Sequence, residues 1–432
     1  MSAFTRRKFL QTTLLGGLAS PWLGQGLAFG QPITTGTLPA SYEGVSDNEI
    51  LLGTSAAFSG PSRGLGIELY RGAQAYFEQV NERGGVRGRR IGLKLYDDGY
   101  QPVPSVQNTM ELLLSDQVFA LFGYVGTPTV TRVLPILKKF QEENVYMFFP
   151  FTGAQPQREP PYGEFAFNLR ASYREETAGL VENFLGIGRR RIAVFYQADA
   201  YGRSGWAGVR EALGAHGEQI VGEATYTRGA QYAGSMRRQV EILERADPDA
   251  VICIGAYGAC AAFLRDAIDL GLEVPIANLS FVGSENLLQL IVDSVEDSER
   301  YSRWLVNSQV VPSYEDESIP VVGEYGELMS RYDPKVPDPL HQPDYVPFEK
   351  SFVSLEGFVN ARMLVEILDR LGDSPTRAGL EEAVFTIRDF DLGIGEPVSF
   401  SEQRRQGMQR LYYTVVDQDR FVPLDDWQAR FG

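Results

Sequence analysis

Histidine and cysteine are nearly missing from this chain, with two of each in 432 residues. Metal centres and nucleophile–histidine catalysis need several such side chains close together, so both are poorly provided for. His216 ends an exposed-looking helix and His341 lies in a proline-rich loop, neither within a nucleophile or metal motif. Cys253 and Cys260 share one apolar strand-to-helix stretch. Their expected separation exceeds the roughly 7 Å a disulfide tolerates, so buried free thiols are the expectation, and their spacing is wrong for a zinc knuckle. There is no Walker loop, and Gly64-Leu65-Gly66 lacks the spacing of a dinucleotide fingerprint. Asp97-Asp98 could serve as a catalytic pair, but acids after a strand more often cap the next turn. The reading is a protein that is not an enzyme and has no cofactor and no metal.

Positive charge is also short: 40 Lys and Arg against 56 Asp and Glu, a formal net charge of −16. An acidic surface repels phosphate backbones and anionic lipid, which argues against nucleic-acid and membrane-surface partners. Long apolar runs are missing beyond the first thirty residues, so direct membrane insertion is not expected. Those thirty carry Arg6, Arg7 and Lys8, then a glycine-rich apolar run from Leu10 to Phe29, then Ala28-Phe29-Gly30. They read as an export signal cleaved near Gly30. Thr5-Arg6-Arg7-Lys8-Phe9-Leu10 resembles the twin-arginine motif, which implies export after folding, to the periplasm. No cysteine lies near the cleavage region to carry a lipid anchor.

What the chain has in quantity is alternation. Residues 31–46 read as a loose leader, followed by strand 50–55, a helix with apolar residues from Leu65 to Val80, strand 91–96, helix 103–114, strand 118–122, helix 129–143 and strand 145–149. A second series begins near Tyr173: helix 175–185, strand 191–196, helix 205–216, strand 220–226, helix 233–245, strand 250–254, helix 259–270, strand 274–277. Such spacing favours βαβ units and parallel sheets. Strand 306–311, helix 321–332, a proline-rich loop 334–347, helix 352–371 and strands near 398–400 and 411–416 are too few for a third core. The fold class is therefore α/β, two doubly wound parallel-sheet lobes joined by a multi-strand hinge, with a ligand cleft between them. The expected division is residues 1–30 signal, 31–46 leader, 47–170 plus about 312–405 for lobe 1, and 171–311 plus about 406–432 for lobe 2.

The order of Phe58-Ser59-Gly60-Pro61, Asn81-Glu82-Arg83-Gly84-Gly85-Val86-Arg87-Gly88, Tyr96-Asp97-Asp98 and Asp199-Ala200-Tyr201-Gly202-Arg203-Ser204 resembles the branched-chain amino-acid type of periplasmic solute-binding protein, the type I binding fold. The resemblance implies a monomer that captures a small molecule between two closing lobes and delivers it to an ABC permease in the inner membrane. A sensor that reports occupancy to a membrane receptor would use the same closure.

It also implies where the ligand sits. The ligand's polar head would be held by the loops after the third and fourth strands, here Gly126-Thr127-Pro128-Thr129 and Phe151-Thr152-Gly153, with Ser59 from the first loop. Small residues let the backbone approach, and the helix start offers free N–H groups to an oxygen. Thr129 serves equally well as a helix cap. Phe151 either walls the cleft or packs with Phe148 and Phe149 in the core. Tyr201 and Tyr257 match the aromatics that close from the second lobe, with core packing as their alternative. Family members that bind amino acids place a carboxylate where Ser280 stands, and Glu285 is the nearest acid. The expected ligand is therefore neutral or anionic, such as an amide, a urea-like compound or a carboxylate, with a branched-chain amino acid as the alternative.

Overall fold

The computed structural model describes residues 43–432; the export signal with its twin-arginine stretch and residues 31–42 of the leader lie outside the described residues. In the first lobe β1 (Glu49–Ala56), β2 (Arg90–Asp97), β3 (Ala120–Phe122), β4 (Met147–Phe148) and β5 (Ala166–Phe167) form a parallel sheet in the order β2-β1-β3-β4-β5. The helices between them are α1 (Arg63–Glu82), α2 (Pro102–Leu114) and α3 (Thr127–Lys139). β1 is buried over nearly its whole length, as a strand covered on both faces must be.

The second lobe follows the same plan with α4 (Tyr173–Gly186), β6 (Ile192–Gln197), α5 (Ala200–Ala215), β7 (Glu223–Tyr226), α6 (Arg237–Glu244), β8 (Ala250–Ile254), α7 (Tyr257–Leu270), β9 (Ile276–Asn278), α8 (Ser284–Val292), α9 (Ser298–Ser302) and β10 (Leu305–Gln309). The chain then returns to lobe 1 with α10 (Pro320–Tyr332), α11 (Phe352–Arg370), α12 (Leu380–Phe385) and the hairpin β11 (Phe390–Asp391) and β12 (Pro397–Val398). α10 and α11 pack on α1. The approach of α11 is close: a Cβ at Gly72 would stand 1.7 Å from the Ser354 carbonyl oxygen. Finally β13 (Tyr412–Asp417), β14 (Arg420–Pro423) and α13 (Trp427–Phe431) complete lobe 2, whose sheet runs β14-β13-β10-β9-β8-β6-β7. β13 and β14 are antiparallel, so this sheet is mixed at one edge.

Three segments therefore cross between the sheets, after β5, after β10 and before β13. Two of them lie side by side: Asn168 N–H donates to the Arg405 carbonyl, and the N–H groups of Gly407 and Met408 donate to the carbonyls of Asn168 and Leu169. Hinge crossovers that hydrogen-bond to one another bend together. Both cysteines are buried and unbonded, and burial pushes the Cys253 thiol well up.

Candidate ligand-binding site

The carboxyl ends of both sheets face the seam between the lobes. Gly126 precedes α3 at φ 99°, a left-handed conformation that glycine adopts without strain. A Cβ there would stand 2.1 Å from the Tyr100 ring, so glycine also admits that ring to the site. The α3 terminus has no side-chain cap, and Pro128 contributes no N–H, which leaves the N–H groups of Thr127 and Thr129 at a positive dipole end. The Thr127 and Thr152 hydroxyls meet at 2.7 Å. The Thr129 hydroxyl donates back to the carbonyls of Val125 and Gly126 and so caps no N–H group. Pro128 is buried in the first turn of α3, Gly153 accepts from Tyr173 N–H at 2.7 Å, and Ser59 donates its N–H and hydroxyl to Asp97. Asp97 and Asp98 gather N–H and hydroxyl groups from their own and neighbouring turns, which is the capping alternative.

Phe151 is buried and reaches across the seam to Phe281, 5.1 Å between centroids. Tyr201 packs on Phe281 at 4.8 Å and on Tyr173 at 5.1 Å, and Tyr100 lies 5.9 Å from Phe281. Tyr257 stands further out, where its hydroxyl accepts from Gly64 N–H of the opposite lobe at 3.2 Å. The proline-rich loop joins this outer contact. Tyr345 donates to Glu68 of α1 and accepts from Asn286 of α8, both at 3.1 Å, and Asp344 pairs with Arg63 at 2.8 Å. A groove of about 680 Å³ opens here between Arg63, Tyr257, Asn286 and Tyr345.

Ser280 carries no charge, yet a carboxylate lies against it: Glu176, from α4, accepts from Ser280 N–H at 2.8 Å, from its hydroxyl at 3.0 Å and from Ser308 at 2.6 Å. Arg170 donates to the Ser280 hydroxyl, pairs with Glu176 and with Glu356 at 3.4 Å each, and covers Phe151 and Tyr173 with its guanidinium. Glu285, the nearest acid along the chain, is instead spent on Phe352 N–H at the start of α11. Burial pushes both Glu285 and Glu356 up to about 7.

Tyr100, Arg170, Tyr173, Glu176 and Phe281 were not singled out from sequence. Arg170 had a signal, an arginine embedded in the apolar run Phe165-Ala166-Phe167-Asn168-Leu169, and Tyr173 follows Ser172 of a capping box. The Tyr173 and Tyr201 hydroxyls are buried without hydrogen-bond partners, and burial raises both. Buried polar groups are seldom left unpaired, so hydroxyls facing a seam mark a place for a polar guest.

Two facing α/β lobes with a hinge and an uncapped helix terminus at the seam define a binding protein of the closing-cleft class. The family described as periplasmic binding protein matches residues 49–420, and the chain belongs to it. A possible leucine/isoleucine/valine-binding protein from Rhodopirellula baltica is 28% identical, with a TM-score of 0.78 over 92% of this chain and all of that one. A branched-chain amino-acid ABC transporter protein from Thermus thermophilus, with bound valine, shares the fold at 19% identity and a TM-score of 0.75, over 88% and 97% of the two chains. A Leu/Ile/Val-binding protein homolog from Brucella melitensis is 24% identical over 52% of this chain, a match spanning 59% of that protein's length. No helix among the described residues is long and apolar enough to cross a membrane.

Proposed function

We propose that this chain is an extracytoplasmic solute-binding protein that closes its lobes on a small molecule and delivers it to an ABC permease, after twin-arginine export to the periplasm. The observation that carries this reading is the seam itself. Thr127, Thr152 and the free terminus of α3 converge there from lobe 1, and Tyr173 and Tyr201 bring unpartnered hydroxyls from the other side. The ligand is a neutral or anionic compound rather than an α-amino acid. Ser280 offers no charge, and the adjoining Glu176 is already matched by Arg170 and two serine hydroxyls, so an incoming ammonium group lacks the anion it needs.

The second reading is a branched-chain amino-acid carrier, favoured by the relatives named for leucine, isoleucine and valine. Melting temperatures against amino acids, amides, urea and short or aromatic carboxylates separate the two. A ligand at a hundred times its Kd adds about 2.7 kcal/mol, worth about 3 °C in a chain of this size. A rise with carboxylates or amides alone supports the first reading; a rise with leucine or valine moves the assignment to the second.

A further inference from the structure

We propose that Arg170 sets the charge of the ligand: the Nε–Nη1 edge of its guanidinium, whose Nη1 also faces Glu356, receives a carboxylate that has no neighbouring ammonium group, with the Tyr173 and Tyr201 hydroxyls as co-donors. This deepens the solute-binding reading and rests on it.

Arg170 follows β5, where the first crossover leaves lobe 1, and its side chain is 1% exposed. Nη2 is engaged by Ser280 and Glu176. Nε has no partner, and Nη1 faces Glu356 Oε1 at 3.4 Å in an ion pair without a formed hydrogen bond; the hydroxyls of Tyr173 and Tyr201 have no hydrogen-bond partner. Twelve buried side-chain atoms are unpartnered among the described residues, and these three residues hold four of them, which makes the seam a concentration of unmet donors. Leaving such donors unmet costs free energy that a guest carrying acceptors recovers.

The guanidinium is held flat by the Phe151 ring, 4.9 Å away, and flanked by Tyr173 at 5.8 Å. A planar fork in fixed orientation suits the two oxygens of a carboxylate, and charge-assisted bonds of this kind are the stronger ones. Thr152, next in the chain after Phe151, meets the Thr127 hydroxyl at 2.7 Å. The acids present do not invite a cation instead. Glu176 has both oxygens occupied, and Glu356 faces the same guanidinium at 3.4 Å. At the Ser280 position an ammonium group would therefore meet a guanidinium.

The test is isothermal titration of the purified protein with two matched sets: 4-methylpentanoate, 4-methylpentanamide and leucine, then phenylacetate, phenylacetamide and phenylalanine. In at least one set the carboxylate binds roughly 10- to 100-fold tighter than its amide, the range of a hydrogen bond to a charged group, and the amino acid gives no heat. In Arg170→Met the carboxylate loses its advantage over the amide, and Arg170→Lys falls between because it retains charge without the fork. Should Arg170→Met fail to fold, the acid-against-amide comparison in the unaltered protein decides alone. Leucine binding as tightly as 4-methylpentanoate, or equal affinity for acid and amide, overturns the role of Arg170 and leaves solute binding standing. Silence from both carboxylates also overturns it. A melting-temperature rise with another solute would then preserve the broader reading, and its absence across that panel would remove it as well.

Discussion

Thr127 and Thr129 are two residues apart on α3, yet their hydroxyls have different work. Thr127 meets Thr152 at the seam, whereas Thr129 bonds the carbonyls of its own loop. Thr127→Val should therefore weaken binding of the protein's ligand about tenfold or more with a small change in melting temperature, and Thr129→Val should do the reverse, losing about 1 kcal/mol of stability. Titration and thermal unfolding of the two variants check the pair. Gly126→Ala should destabilise by about 1–3 kcal/mol, because the left-handed backbone and the Tyr100 ring both oppose a side chain. Glu356 gives a pH signature. Burial pushes its carboxyl up to about 7 despite Arg170, which lowers it; Glu176 raises it further and Arg158 lowers it. A raised acid means that the folded state binds more protons than the unfolded chain between about pH 4.5 and 7. Stability from this group is thus greatest at the acid end and falls as pH rises through that window. Melting curves of Glu356→Gln should lose this part of the slope. An unchanged slope would show that Glu356 titrates normally.

At the scale of elements, strand-helix alternation and caps were legible because they are local. The spacing of Leu65 through Val80 places α1, and the run 250–254 is β8 to the residue. Shorter pieces escaped. β5 has two residues, and α8 follows a glycine in the left-handed region without a capping side chain, so neither leaves a periodic trace. The site was legible only where it lies on loops after strands. Thr127, Thr152 and Tyr201 could be placed that way, but Arg170 and Glu176 meet Ser280 through a crossover, and pairing at a sequence distance of 104 to 110 residues has no local mark. The first element after that crossover rests on a visible device: Ser172 and Glu175 cap α4 reciprocally. Ser172→Ala should cost about 1 kcal/mol, measured by denaturant unfolding. It should also weaken ligand binding, since α4 carries both Tyr173 and Glu176.

At the scale of the whole molecule, contacts join the lobes at two depths. The aromatic cluster of Tyr100, Phe151, Tyr201 and Phe281 lies inside, and Tyr257 with Gly64 and Asn286 with Tyr345 bridge the mouth. The proline-rich loop is thus part of the closure and more than a connector. Contacts of this kind, made only when the lobes meet, are what a ligand must stabilise for binding to be coupled to movement. The direct measurement is small-angle X-ray scattering of the purified protein, alone and saturated with the solute giving the largest rise in melting temperature. Closure on the ligand predicts a smaller radius of gyration in the saturated sample. Asn286→Ala and Tyr257→Phe, which each remove one outer bridge, should shift the unliganded protein toward the larger value. Superimposable scattering curves with and without a solute that titration proves to be bound would contradict a closing cleft.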